Sequence, residues 1–143
     1  MQIDRSATAV WTGGLKSGRG SLSTQSGALS ALPYGFASRF EGQPGTNPEE
    51  LIGAAHAGCF TMQLSALLEK AGHPAERLET GAVVRLEKDA TGFVISTVQL
   101  RLSGKVPGAD AATFQRIANE AKASCPVSRL LKANITLEEV KLA

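Results

Sequence analysis

Asn47-Pro48-Glu49-Glu50-Leu51-Ile52-Gly53-Ala54-Ala55-His56-Ala57-Gly58-Cys59-Phe60 opens the segment on which the reading of this 143-residue chain turns. The Asn47 carboxamide can accept from a free N–H of a first helical turn. Pro48 suits the first helical position, where its missing N–H has no partner, and Glu49 and Glu50 sit where the helix dipole favours negative charge. A helix is therefore expected from Pro48 to about Ala71, ended by Gly72 and kept from resuming by Pro74. Its middle is apolar on nearly every side and rich in Gly and Ala, the pattern of a helix buried among close neighbours rather than laid on a surface. Cys59 falls in that middle and is expected to be shielded.

Upstream, Ser6 to Gly13 and Ser21 to Ser26 alternate weakly on either side of Gly13-Gly14 and Gly18-Arg19-Gly20, which reads as a hairpin. Gly18-Arg19-Gly20 is not a phosphate loop, because neither a helix start nor a Gly-Lys-Ser/Thr tail follows it. Between Leu29 and Gly45 the chain is broken up by Pro33, Gly35, Gly42 and Pro44, and Phe36 to Glu41 reads as a short strand with Arg39 on its polar side. Downstream, Arg77 to Lys88 and Phe93 to Val106 alternate with period two around Asp89-Ala90-Thr91-Gly92, a long hairpin with Val98, Leu100 and Leu102 facing inward. Asp110 caps a helix whose Phe114, Ile117, Ala118 and Ala121 share a face. Cys125-Pro126 then starts another helix, and Ile135 to Leu142 closes the chain as a strand. The expectation is an α+β fold of antiparallel sheets around a long buried central helix, in one domain covering residues 1–143.

Fifteen basic residues against thirteen acidic ones leave +2, with no basic run to track a polyanion, so nucleic acid is not an expected partner. Met1-Gln2-Ile3-Asp4-Arg5 is not the basic start of a leader, and no apolar stretch is read as a membrane span, so a soluble cytoplasmic protein is expected. In a reducing compartment two cysteines serve transient thiol chemistry more readily than a permanent staple. Two histidines and two cysteines so far apart match no zinc pattern and there is no Cys-x-x-Cys, so neither a metal site nor a thioredoxin-type motif is expected.

The two thiols occupy different positions. Cys125, just before Pro126, faces the unpaired N–H groups and positive dipole end of a helix, which stabilise a thiolate. Cys59 has no such help, and burial raises a thiol pKa, so it needs a cation. Arg39 is the candidate, with Glu49 to hold its guanidinium by a bidentate pair, although an ordinary surface ion pair is the plainer reading. His56, one turn before Cys59, lies on nearly the same face and is a candidate base for a Cys-His nucleophile. On residues alone, three readings stay open: a redox enzyme, a cysteine acyl transferase or hydrolase using Cys59 and His56, and a non-catalytic stress protein whose cysteines only pack.

Gly45-Thr46-Asn47-Pro48-Glu49-Glu50-Leu51, Ala55-His56-Ala57-Gly58-Cys59-Phe60 and Ser124-Cys125-Pro126-Val127-Ser128 resemble the signatures of the OsmC/Ohr family, as do Pro33-Tyr34-Gly35-Phe36 and Arg39-Phe40-Glu41-Gly42. The likeness extends over nearly the whole chain and favours the OsmC branch. Gly58 departs from it, standing where alanine is usual. The resemblance implies an intertwined homodimer and a peroxidase acting on organic hydroperoxides and, less well, on hydrogen peroxide, with no metal, haem or flavin. It also implies Cys59 as peroxidatic thiol, Cys125 as resolving thiol, Arg39 with Glu49 as the activating pair, and an external dithiol, lipoylated proteins being the best attested, as reductant. His56 has no role in that scheme.

Lowering a thiol pKa from about 8.5 to about 6 raises the thiolate fraction at pH 7 roughly 30-fold, while a Brønsted slope near 0.45 removes roughly 13-fold in nucleophilicity. The cation is therefore expected to act chiefly on the peroxide and the departing alkoxide. Phe36, Phe40, Phe60, Met62 and Leu64 are the expected apolar walls for an alkyl tail, with core packing as the alternative use of each.

Overall fold

The computed structural model describes residues 1–143, which divide into two compact units, Met1–Leu51 and Ile52–Ala143. The first holds β1 (Ala7–Thr12), β2 (Arg19–Thr24), β3 (Leu32–Tyr34) and α1 (Phe36–Phe40), and ends inside the first turn of α2 (Pro48–Lys70). The second holds the rest of α2 and then β4 (Arg77–Asp89), β5 (Gly92–Lys105), α3 (Ala111–Ser124), α4 (Pro126–Leu130) and β6 (Asn134–Leu142). This is the α+β class, with two three-stranded sheets and one long helix.

In the first unit β1, β2 and β3 form an antiparallel sheet in sequence order, with Trp11 opposite Gly20 and Gly20 opposite Tyr34. Glycine is required at position 20, because a Cβ there would lie 2.4 Å from the Tyr34 ring and 2.7 Å from that of Trp11. All six residues of β1 are exposed. Phe36 to Phe40, expected as a strand, is a short helix. The Ser38 hydroxyl accepts from the Gly35 N–H at 3.0 Å and lies 2.9 Å from the Thr46 carbonyl, which closes the turn around it.

In the second unit β4 and β5 form the long hairpin, from Arg77 opposite Lys105 to Asp89 opposite Gly92. Asp89 accepts from the N–H groups of Thr91 and Gly92 at 2.7 and 3.1 Å, and Gly92 takes φ +129°, a conformation that excludes most side chains. β6 pairs with β5 in parallel, so this sheet is mixed rather than antiparallel. Val98, Leu100 and Leu102 point into a core shared with the Phe114, Ile117 and Ala121 face of α3, and each such large apolar side chain contributes roughly 1.5–3 kcal/mol by leaving water. Asp110 caps α3 by accepting from the Thr113 N–H at 2.7 Å.

The start of α2 is built as its residues dictate, with Asn47 Oδ1 accepting from the Glu50 N–H at 2.9 Å. The helix is not buried all round. Phe60, Leu64 and Leu68 are fully buried, whereas Ala54, Ala55, Gly58, Met62 and Ala66 are exposed. At 23 residues and a mean hydropathy of 1.4, α2 is long and apolar enough to cross a membrane, contrary to the expectation that no stretch is. Its buried stripe belongs to the protein core, the position of a core helix.

Candidate active site

Cys59 and Cys125 come from different helices of the second unit and meet at the edge of its core. The period of α2 places Cys59 beside Phe60, so that it is carried toward the core without being sealed in, and it remains partly exposed. Cys125 is fully buried at a junction: it ends α3, its N–H donating to the Ala121 carbonyl at 2.9 Å, and it is the N-cap of α4, with Pro126 next. The two sulfurs are unlinked and close enough to shift each other's pKa.

Their electrostatics are opposite in sign. Burial pushes the Cys59 thiol above its ordinary value, the hydrogen bond and charge of Cys125 push it further, and the Val127 N–H partly offsets this. At Cys125 burial also acts upward, but it is outweighed by the Ser128 N–H, the Cys59 thiol, the Ser128 hydroxyl and the Val127 N–H, and the net direction is down. None of these is a capping bond of normal geometry, so the helix start acts on the sulfur through several weak donors. The pair holds one proton more tightly than the other. The first proton of the pair is therefore more easily lost from the Cys125 side than from Cys59.

His56 does not join Cys59. Its ring is fully buried, with Nε2 2.7 Å from the Ser128 hydroxyl and Nδ1 without a partner, and burial lowers its pKa so that the ring is neutral. A Cys59–His56 nucleophile pair is thus not formed. Ser128 is a site residue that the sequence reading missed. The signal was available, because in Cys125-Pro126-Val127-Ser128 the serine stands three positions after the N-cap, where its N–H and hydroxyl return to the capping side chain.

Arg39 and Glu49 belong to the first unit and pair with each other. Arg39 Nη2 lies 2.7 Å and Nε 3.2 Å from Glu49 Oε1, with Nε also 3.3 Å from Oε2, a fork held on one carboxylate. Glu49 is largely covered, at 12% exposed, and Arg39 is at 36%. An ion pair this open contributes only about 0–1 kcal/mol, so its consequence is the fixed orientation of the guanidinium. Beside it, Trp11, Leu15, Tyr34, Phe36 and Phe40 line a cavity of about 310 Å³ that Arg39 also borders. Of the expected apolar walls, Phe36 and Phe40 are therefore at a cavity. Phe60 and Leu64 are core, and Met62 is exposed. No three His, Cys, Asp or Glu side chains converge to hold a metal ion.

Residues 40–140 match the family model described as OsmC-like protein. The chain belongs to the OsmC-like family. This OsmC-like chain is 52% identical over 138 residues to Peroxiredoxin OsmC of Escherichia coli (strain K12), with 96% of both chains covered. Its fold is similar to the crystal structure of the organic hydroperoxide resistance protein OhrB of Bacillus subtilis, at TM-score 0.68 and 26% identity over 96% of this chain and 98% of that one. An OsmC-like protein of unknown function from Vibrio cholerae O1 biovar eltor shares the fold at TM-score 0.76 and 16% identity, over 96% and 99% of the two chains.

Proposed function

We propose that this OsmC-like protein is a thiol-dependent peroxidase that reduces organic hydroperoxides, and hydrogen peroxide less efficiently, to alcohols and water in defence against oxidative and osmotic stress. One observation carries the reading: a partly exposed sulfur and a fully buried one are neighbours, unlinked, at the edge of one core. For reaction the proton passes from Cys59 to Cys125, and the Cys59 thiolate attacks the distal peroxide oxygen. The S–O bond forms, the O–O bond breaks, and the leaving alkoxide takes the proton from Cys125. Cys59 is now a sulfenic acid and Cys125 a thiolate. Attack of Cys125 on the Cys59 sulfur forms the disulfide and expels hydroxide, which takes a proton from water. An external dithiol, such as the lipoyl group of a protein, then restores both thiols.

In this reading Cys59 is peroxidatic, Cys125 resolving, and Arg39, held by Glu49, is the activating cation that stabilises charge on the peroxide oxygens. The cavity beside Arg39 suits an alkyl tail, each buried methylene contributing about 0.8 kcal/mol or about four-fold in kcat/KM. Residues 1–143 act as one domain of a cytoplasmic, intertwined homodimer. The fully exposed strand β1 and the exposed apolar face of α2 are the surfaces that a second copy would cover. The test is steady-state turnover of tert-butyl and cumyl hydroperoxide with a dithiol. Stoichiometric alcohol release is expected. No peroxide consumption above that of the dithiol alone would overturn the reading.

A further inference from the structure

His56 is left over by the chemistry above, yet it occupies a fully buried position where an apolar side chain of similar volume would need no hydrogen-bond partner. It uses one nitrogen, Nε2, on the Ser128 hydroxyl at 2.7 Å, and leaves Nδ1 with nothing to bond. An orphaned N–H is rarer in protein interiors than an under-used acceptor, so the tautomer that fits carries its proton on Nε2 and leaves a lone pair at Nδ1. Nε2–H then donates to Ser128 Oγ, and the serine proton is free to point elsewhere. Ser128 also stands in the first turn of α4, the helix that Cys125 caps, where its N–H and hydroxyl act to lower the Cys125 pKa. His56, 72 positions away in sequence, is thus joined to Ser128, whose helix begins at Cys125.

We propose that His56 is a positioning residue for the resolving thiol, holding the Ser128 hydroxyl so that its proton is presented to the Cys125 sulfur. The inference rests on the peroxidase reading and deepens it. A fixed donor at Cys125 favours thiolate there, and the thiolate is the species that attacks the Cys59 sulfenic acid. The step remains balanced: Ser128 keeps its proton, the S–S bond forms as the S–O bond breaks, and hydroxide leaves. The ionisable group acting on Cys125 is Cys59, and none is found to act on His56, so the His56–Ser128 pair has no competing charge within it. A neutral relay suits this place, because a charged imidazole would have to be buried.

The test compares Ser128→Ala, His56→Leu and His56→Gln with the unaltered protein. Gln is included because its amide N–H reaches close to where Nε2–H stands. Two readouts are taken: the thiolate titration by ultraviolet absorbance, and the lifetime of the sulfenic acid, trapped by dimedone and read by mass spectrometry after one equivalent of hydroperoxide. Ser128→Ala and His56→Leu should raise the first thiolate midpoint by about one pH unit and lengthen the sulfenic acid lifetime about ten-fold. His56→Gln should recover most of both. Titration and lifetime unchanged in Ser128→Ala and His56→Leu would overturn the proposal. So would equal losses in His56→Leu and His56→Gln beside an unchanged Ser128→Ala, which would make His56 a packing residue only. If the unaltered protein formed no sulfenic acid, the peroxidase reading would fail, while the titration would still decide whether His56 and Ser128 act on Cys125.

Discussion

The middle of α2 and the start of α4 treat the same chemical group in opposite ways. At the middle of α2, Cys59 meets no free backbone N–H of its own helix, stays partly open, and has its pKa raised by burial and by the neighbouring sulfur. At the start of α4, Cys125 is fully buried yet surrounded by donors from Val127 and Ser128, and its pKa falls. Access and ease of ionisation are thereby divided between two neighbouring sulfurs: the more accessible one holds its proton more tightly, and the buried one gives it up more readily. That division explains why one helix-start cysteine without its partner would be an incomplete site.

The largest effect should come from removing either sulfur, and the two losses should differ in kind. Cys59→Ser should abolish peroxide consumption, roughly a thousand-fold or more by stopped-flow. Cys125→Ser should stop multiple turnover while the first equivalent is still consumed and Cys59 accumulates as sulfenic acid. Sustained turnover in Cys125→Ser would break the comparison.

Arg39→Lys keeps a charge but loses the fork that Glu49 holds, so kcat/KM for cumyl hydroperoxide should fall about ten- to hundred-fold. A value near that of the unaltered protein would remove Arg39 from the mechanism.

The titration of the unaltered protein sharpens the contrast further. The pair should lose its first proton below the ordinary thiol range and its second above it, since the Cys125 pKa is depressed and the Cys59 pKa raised. First-turnover rates should rise with pH through the first step. One combined step at the ordinary position would show that the sulfurs do not shift each other's pKa.

The smallest effect on the chemistry should come from Gly104→Ala. A Cβ there meets the Phe114 ring at 2.7 Å and Leu78 at 3.0 Å, so thermal unfolding should show about 1–3 kcal/mol lost to overpacking, with the thiol titration unmoved.

Much of the fold was legible because local chemistry and tertiary structure agree. Asn47-Pro48 starts α2, Asp89 to Gly92 turns the hairpin, and Asp110 caps α3, each through bonds within three residues. Phe36 to Phe40 was misread because its helix is held by a contact from Ser38 to Thr46, eight positions on, which no local period reveals. The parallel pairing of β6 with β5 is a matter of chain path, and the alternation of Ile135 to Leu142 is the same in either direction. At the site, the two cysteines stood out by type and position. His56 was visible but assigned the wrong neighbour, because its spacing of three from Cys59 is local whereas its partner Ser128 is 72 positions away. The all-round apolar pattern of α2 suggested full burial, yet only the stripe of Gly53, His56, Phe60, Leu64 and Leu68 is buried.

The most direct measurement is the number of free thiols per chain, counted under denaturing quench before and after one equivalent of organic hydroperoxide with no reductant present. Two thiols should fall to none, with one linked peptide joining Cys59 to Cys125. Two thiols remaining while the peroxide persists, or a disulfide that joins separate chains in place of this pair, would contradict the account.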